Sequence, residues 1–528
     1  MSIINLHPDG PVGLLTTGEW ENTYGKEDTG PRRAGPAPLP YPVSFRPSDY
    51  SDAGNAAVFV DKNREKLIFT DSMGWLYWNG KHWERNEHKA LELAETFSEY
   101  MLEEAKTLDR RAKHELADLD ADAAEGKKNE DAIEKAKKDA TAASNYLKHA
   151  MLTRRAARIR AVLDLARPYL VLPGNAMDAN PIELNTQSGI VNLITGEQRP
   201  HSHNARCSKI TAAACGTRGS DIWQDFLDTV TCRDNSLNGF LQMVIGMALF
   251  GTIYHEGFAF AIGDGANGKS TFFNSVAAVF GDYAGYIDID VILVRSGNTQ
   301  AELATLRGKR LVIAGELGQG RHLSESTIKK ITSKDPITVT EKYKHPETIM
   351  PSHTLCVFAN NFPHVKALDD GTWRRIIVIP FNAKIQGKND IKNYSEYLVK
   401  NAGEAILSWA IEGAIRYARN GFHLDMPDAV AEATSNYHEQ ENWLINFINE
   451  RCIREPNARV GARELYTAYM TWSEGLGERA VNEKDFAIAM KRAEFKSLVP
   501  KGIKCYLGLR LVSEYDHENH WDTDMLPL

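Results

Sequence analysis

Gly263-Asp264-Gly265-Ala266-Asn267-Gly268-Lys269-Ser270, followed by Thr271, conforms to G-x-x-x-x-G-K-[ST], the phosphate-binding loop of nucleotide hydrolases. The flanking residues agree with it. Residues 258–262 form a short apolar run, as a buried strand does. Beyond the loop, Phe272, Phe273, Val276, Val279 and Phe280 recur at helical spacing, and Gly281 is the candidate C-cap. The glycines let backbone N–H groups close on phosphates without a Cβ in the way, and the helix start favours an anion. Lys269 is expected to reach the β- and γ-phosphates of ATP and Ser270 to hold Mg²⁺, with residues 263–271 as the cradle. A glycine-rich turn with a chance lysine is the competing reading, and the strand and helix on either side weigh against it.

The chain has 528 residues, which predicts two to four domains. Its hydrophobic fraction, 43%, is that of an ordinary globular protein. No apolar run reaches membrane-spanning length, so no membrane partner is expected. The polar, proline-rich N-terminus lacks a signal-peptide h-region, which predicts a cytoplasmic protein. Six scattered cysteines without C-x-x-C suit a reducing compartment. His201, His203, Cys207 and Cys215 are conceivable zinc ligands, but a polar loop with incidental cysteines is the preferred reading. A net charge of −8 argues against a protein that coats duplex DNA, so any nucleic-acid contact must be local: a lined channel or a small basic module.

Composition divides the chain into four parts. Residues 1–45 carry five prolines in their second half and read as a flexible tail. Residues 46–217 read as a mixed α+β domain. It opens with aromatic runs around Asn79-Gly80, a hairpin signal. The tryptophans there are assigned to the core rather than to base stacking. A long helical excursion over 87–167 follows, interrupted by a very polar middle at 110–139. Asp118, Asp120 and Asp122 form D-x-D-x-D within it and are read as a solvated face, not a metal site. Residues 218–436 contain the nucleotide-binding core, with further buried-strand runs at 311–314, 355–359 and 376–379. Residues 437–528 read as three helices followed by strands, a winged-helix pattern that serves equally to bind DNA or to dock protein.

Four features narrow what the loop drives. Glu316 follows the run at 311–314 and is the candidate for orienting water and joining the Mg²⁺ shell. Asn360 follows the run at 355–359, where an amide can donate to the γ-phosphate or the attacking water. Arg374 and Arg375 precede the last run, and one of them is the candidate arginine finger for a neighbouring subunit's nucleotide. Residues 337–346 read as one arm and the tip of a hairpin. Lys342, Tyr343, Lys344 and His345 lie at that tip and suit phosphate contact and stacking on a DNA strand.

In this order the motifs resemble those of the superfamily 3 helicases, specifically the phage- and plasmid-type primase-helicases related to the poxvirus primase-helicase. The resemblance runs from about residue 51 to about residue 512. It rests on residues 263–271, on Leu306-Arg307-Gly308-Lys309-Arg310 leading into 311–316, on Ala359-Asn360-Asn361-Phe362-Pro363, and on Asp370-Gly371-Thr372-Trp373-Arg374-Arg375. It implies an AAA+ P-loop core in a homo-oligomeric, hexameric ring around DNA, with ATP sites between subunits and 3′-to-5′ movement on single strands. It also puts Lys342, Lys344 and His345 on a pore hairpin. The chain departs from the pattern twice. Many members carry two adjacent acids where this chain has Gly315-Glu316, and larger members carry a primase domain ahead of the helicase.

The expectation is therefore a multidomain α/β protein that works as an ATP-dependent replicative DNA helicase of a phage or mobile element, in the host cytoplasm. Its partners would be single-stranded and forked DNA, and a separate primase, since this chain is not expected to make primers. An origin-binding initiator whose ATPase controls assembly, and a remodelling motor on a non-DNA partner, are the alternatives.

Overall fold

The computed structural model describes residues 44–127, 129–294, 299–318, 320–340, 346–365, 370–386, 392–477 and 480–513. Most of the expected tail lies outside these, but Ser44 and Phe45 are already packed. Ser44 Oγ and Phe45 N both donate to the Glu104 carboxylate, at 2.6 and 2.8 Å.

The N-terminal part begins with α1 (Asp52–Asn63), capped by the Ser51 side chain on Gly54 N–H. An antiparallel meander follows, β1 (Leu67–Thr70), β2 (Gly74–Trp78) and β3 (Trp83–Arg85). Asn79 Oδ1 accepts from the N–H groups of Lys81 and His82, and Gly80 takes φ +96°, so Asn79-Gly80 turns the chain between β2 and β3. Trp75 and Trp83 are buried, in the core as expected.

Next come α2 (Glu87–Ala124), α3 (Glu130–Thr153) and α4 (Ala156–Leu170). The polar stretch at 110–139 does not interrupt the helices as expected. α2 runs to Ala124 and α3 begins at Glu130, because Ala, Glu, Lys and Leu are strong helix formers whatever their polarity. Buried Ala90, Ala94, Ala105, Ala136, Ala140, Ala143 and Ala150 line α2 and α3, and small side chains allow two long helices close approach. Asp118, Asp120 and Asp122 are exposed near the tip. A second small meander, β4 (Glu183–Thr186), β5 (Gly189–Asn192) and β6 (Gln198–Arg199), leads to α5 (Ser220–Val230) and α6 (Asn235–Met247).

The central unit is a five-stranded parallel sheet. In chain order it contains β7 (Phe258–Ile262), α7 (Lys269–Phe280), β8 (Ala284–Tyr286), β9 (Leu311–Gly315), α8 (Glu325–Ile331), β10 (Ile337–Val339), β11 (Glu347–Ile349), β12 (Thr354–Ala359) and β13 (Ile376–Pro380). The strand order is β13-β7-β12-β9-β8, with β10 and β11 paired separately. Successive residues of each sheet strand enter opposite cores. Ala259, Ala261, Ile313, Cys356 and Ile377 face one, with residues of α6, α7 and α9 (Tyr394–Arg419). Phe258, Phe260, Val312, Val357 and Val378 face the other. Burial on both faces explains why these runs are continuously apolar rather than alternating. Against β13 lies α10 (Asp428–Glu441), whose Thr434 Oγ1 accepts from Val378 N at 3.0 Å.

The C-terminal part is α11 (Trp443–Arg451), β14 (Cys452–Gly461), α12 (Ala462–Gly475), α13 (Glu483–Arg492), β15 (Ser497–Leu498) and β16 (Cys505–Leu511), with strand order β14-β16-β15. The reading of three helices ahead of all the strands is corrected here, since β14 falls between the first two helices. It carries Pro456, three charged residues and a register shift between Arg454 and Arg459, so it lacks the alternation that marks a strand.

Candidate nucleotide site

Register places the site. Ala359 pairs with Ile262 and Phe358 with Gly315, so Gly263, Asn360 and Glu316 leave three neighbouring strands at the same edge. That is the carboxyl edge of a parallel sheet, where open α/β folds bind ligands.

The loop is held from both sides. Asn267 Nδ2 donates to Phe381 O at 3.0 Å, and Ile385 N donates to Ala266 O at 2.7 Å. A Cβ on Gly263 would stand 2.3 Å from both Asn267 Nδ2 and Phe381 O, so only glycine fits there. Gly265 and Gly268 have φ +92° and +85°, and Ala266 has φ +49°, left-handed positions that favour glycine and bend the loop tightly. Gly268 caps α7 without a side-chain hydrogen bond, which leaves the first-turn N–H groups for an anion.

Lys269, 4% exposed, folds back under the loop. Its Nζ donates to Gly263 O at 2.8 Å, Asn267 Oδ1 at 2.9 Å and Asn360 Oδ1 at 3.2 Å. Burial holds its ammonium below the usual lysine range, and the Asp264 carboxylate opposes that shift. Three neutral carbonyl oxygens thus satisfy the three N–H donors of the ammonium.

A cleft of about 900 Å³ opens over the loop, and Lys269, Ser270, Thr271, Glu316 and Asn360 all line it. Glu316 is exposed and takes φ +66°, an unusual conformation for a non-glycine residue that turns the chain sharply off β9. Gly315 has no room for a side chain, since its Cβ would stand 2.6 Å from Phe358 Cζ. A side chain at position 315 therefore requires a shift of the Phe358 ring, which itself stacks on Phe273.

The far wall was not legible in the motifs. Asp225, Phe226 and Thr229 come from α5, and Ile385 and Tyr394 from the segment after β13. Phe226 and Tyr394 meet edge to face, with ring centroids 5.8 Å apart. They come from two segments more than 150 residues apart in the chain, and no local signal links them.

The two arginines lie elsewhere. Ile376 pairs with Phe258 at the amino edge of the sheet, so Arg374 and Arg375 are a full strand length, about 17 Å, from the loop edge. Arg375, 7% exposed, donates to Glu256 Oε2 at 2.8 Å and Gly371 O at 2.7 Å within its own chain. Arg374 is exposed beside Lys330 and Ser326 in a separate cleft. Val339 of β10 pairs with Glu347 of β11, as the arms of a hairpin do. Lys342, Tyr343, Lys344 and His345 lie outside the described residues. His201 Nδ1 is 3.0 Å from Asn185 Oδ1, and among the described residues no group of three His, Cys, Asp or Glu is arranged to hold a metal.

Residues 56–232 match the D5 N terminal like family. Residues 261–375 match a second family, of unknown function, DUF5906. The chain is similar to "Putative helicase L207/L206" of Acanthamoeba polyphaga mimivirus, 27% identical over 260 residues, which is 45% of this chain and 27% of that protein. It is also similar to "Putative helicase 022R" of Frog virus 3, 23% identical over 40% of this chain and 24% of that protein. "Putative primase C962R" of African swine fever virus is 25% identical over the same shares of the two chains. The chain thus spans about a quarter of the length of the curated relatives it matches. Among solved structures it is similar to the NrS-1 C terminal region, 13% identical over 55% of this chain and 76% of that one, with a TM-score of 0.34. No described helix is long and apolar enough to cross a membrane.

Proposed function

We propose that this chain is an ATP-hydrolysing AAA+ motor that unwinds DNA during replication of a virus, phage or mobile element. The observation that carries the reading is the meeting of Lys269, Ser270, Glu316 and Asn360 in one cleft at the carboxyl edge of the sheet. The loop N–H groups and the start of α7 bind the phosphates. Lys269 exchanges its contacts with Asn360 and the loop for β- and γ-phosphate oxygens. That frees the Asn360 amide to hold the γ-phosphate or the attacking water. Glu316 orients that water and takes its proton.

The residues fit Mg²⁺. Ser270 and Glu316 would supply hard oxygen ligands beside the phosphate cradle. When bound, the ion neutralises charge on the β- and γ-phosphates.

Arg374 is the finger in this proposal. It is exposed at the edge opposite its own loop, so it acts on a neighbour's nucleotide in a homo-oligomeric ring, a hexamer in our reading. Arg375 holds the strand that carries it. The segment between β10 and β11 lines the bore, with Lys342, Tyr343, Lys344 and His345 gripping one strand as the ring moves 3′ to 5′. A separate primase would supply primers.

Strand displacement on forked DNA with ATP and Mg²⁺ tests the reading. Lys344→Ala is expected to keep hydrolysis and lose unwinding. Full unwinding by Lys344→Ala would remove the hairpin from the mechanism, and a wild-type chain that hydrolyses ATP yet never separates strands would overturn the helicase.

A further inference from the structure

The chain carries a net charge of −8, yet residues 483–511 hold seven lysines and arginines against three carboxylates. This stretch is α13 and the β15–β16 arm. Phe486, Ala489 and Met490 bury one face of α13. Lys484, Ile488, Lys491 and Arg492 are exposed, and their spacing puts them together on the opposite face. The arm adds exposed Lys496 and Lys504, and between them Leu498, Val499 and Ile503 are 55%, 64% and 65% exposed.

Several lysines of the helical hairpin are paired instead, although Lys135 and Lys137 there are exposed without an ion pair among the described residues. There Lys106, Lys113 and Lys138 are each paired at 2.7 Å with a carboxylate on the same helix. Among the described residues, Lys484, Lys491, Arg492 and Lys496 have no carboxylate within ion-pair distance. Unpaired cations on one rigid helix face favour a regular polyanion, because neutralising its phosphates releases condensed counterions. A helix of this width enters the major groove of B-DNA. Leucine, isoleucine and similar side chains at the end of an arm lie against minor-groove edges and wedge between base steps.

We propose that α13 and the β15–β16 arm form a duplex-DNA-binding surface separate from the nucleotide cleft. Lys484, Lys491 and Arg492 contact phosphates along one groove, and Leu498, Val499 and Ile503 lie in the neighbouring minor groove. The surface holds the unopened duplex, a substrate distinct from the single strand proposed for the bore, and it does not depend on nucleotide.

The test is fluorescence anisotropy of the full chain, without nucleotide, on a duplex whose two ends are closed by short loops so that no strand can thread a ring. Lys491→Gln combined with Arg492→Gln is expected to weaken binding about tenfold and to lower the slope of log affinity against log salt by about 2, one contact per cation. Val499→Ser combined with Ile503→Ser is expected to weaken binding at every salt concentration and leave the slope unchanged. Lys269→Ala is expected to bind the closed duplex like wild type, so loss of the ATPase reading would leave this result standing. Unchanged affinity and slope in both double variants would overturn the proposal. So would a wild-type chain that binds anionic lipid vesicles and not the closed duplex.

Discussion

Lys269 Nζ donates to Asn360 Oδ1 at 3.2 Å, joining the start of α7 to the end of β12 across 91 residues of chain. The contact exists because β12 lies directly beside β7 in the sheet. In the proposed mechanism Asn360 Oδ1 stands in for a phosphate oxygen, and the arrival of nucleotide would part the two residues.

Lys269→Ala removes the ammonium under the loop and is expected to cut ATP turnover by roughly 10²–10³-fold. Asn360→Ala is expected to lower kcat while an ATP analogue still binds. Steady-state hydrolysis beside analogue titration separates the two effects. Loss of analogue binding in Asn360→Ala with kcat intact would move Asn360 from the reaction to simple binding.

Restoring a second acid beside Glu316 is expected to harm the protein. Gly315→Glu forces its Cβ against the Phe358 ring, at a cost of about 1–3 kcal/mol. Phe358→Ala in the same chain makes room and should recover part of that loss. Thermal melts of the single and double variants check it, and a Gly315→Glu chain as stable as wild type would show that the ring yields freely.

The adjacent arginines are expected to fail in different ways. Arg375→Ala leaves Glu256 without its partner and should cost about 1–3 kcal/mol of stability. Arg374→Ala should melt like wild type and lose hydrolysis. Mixing Arg374→Ala subunits with Lys269→Ala subunits should restore some activity, because a mixed ring contains junctions with both groups intact. No recovery on mixing would count against action between subunits.

His353 is buried, and neither ring nitrogen has a hydrogen-bond partner. Burial disfavours the charged ring and lowers its pKa from 6.5 to about 4. The unfolded chain therefore binds a proton between those values and the folded chain does not. Stability from this group is complete above pH 6.5 and falls by at most about 1.4 kcal/mol per pH unit as the pH drops toward 4. His353→Phe should flatten that part of the profile, read as melting temperature at pH 7 and pH 5. An equal drop in both proteins would assign the acid sensitivity to other groups.

Local chemistry was enough for the phosphate-type loop and the buried strands. The loop at 263–271 announces itself because a phosphate cradle needs glycines, a lysine and a helix start within a few residues, and β7 and α7 stand where the apolar spacing put them. Buried parallel strands were legible for the same reason, since burial on both faces leaves an unbroken apolar run. Gly281 ends α7 with φ +58°, as a closing glycine should.

Tertiary structure alone decided what depends on partners distant in sequence. Glu256 is 119 residues from Arg375, and nothing near Trp373 tells a buried arginine from an exposed one. Phe226 and Tyr394 became walls of one cleft only when α5 and α9 packed on the same side of the sheet. β14 escaped notice because its pairing with β16 tolerates charges, a proline and a register shift. Sequence determined which residue types are available for chemistry and in what order, since residue type is local. Strand order and register decided which of them meet, since adjacency in a parallel sheet is set by burial across the whole core.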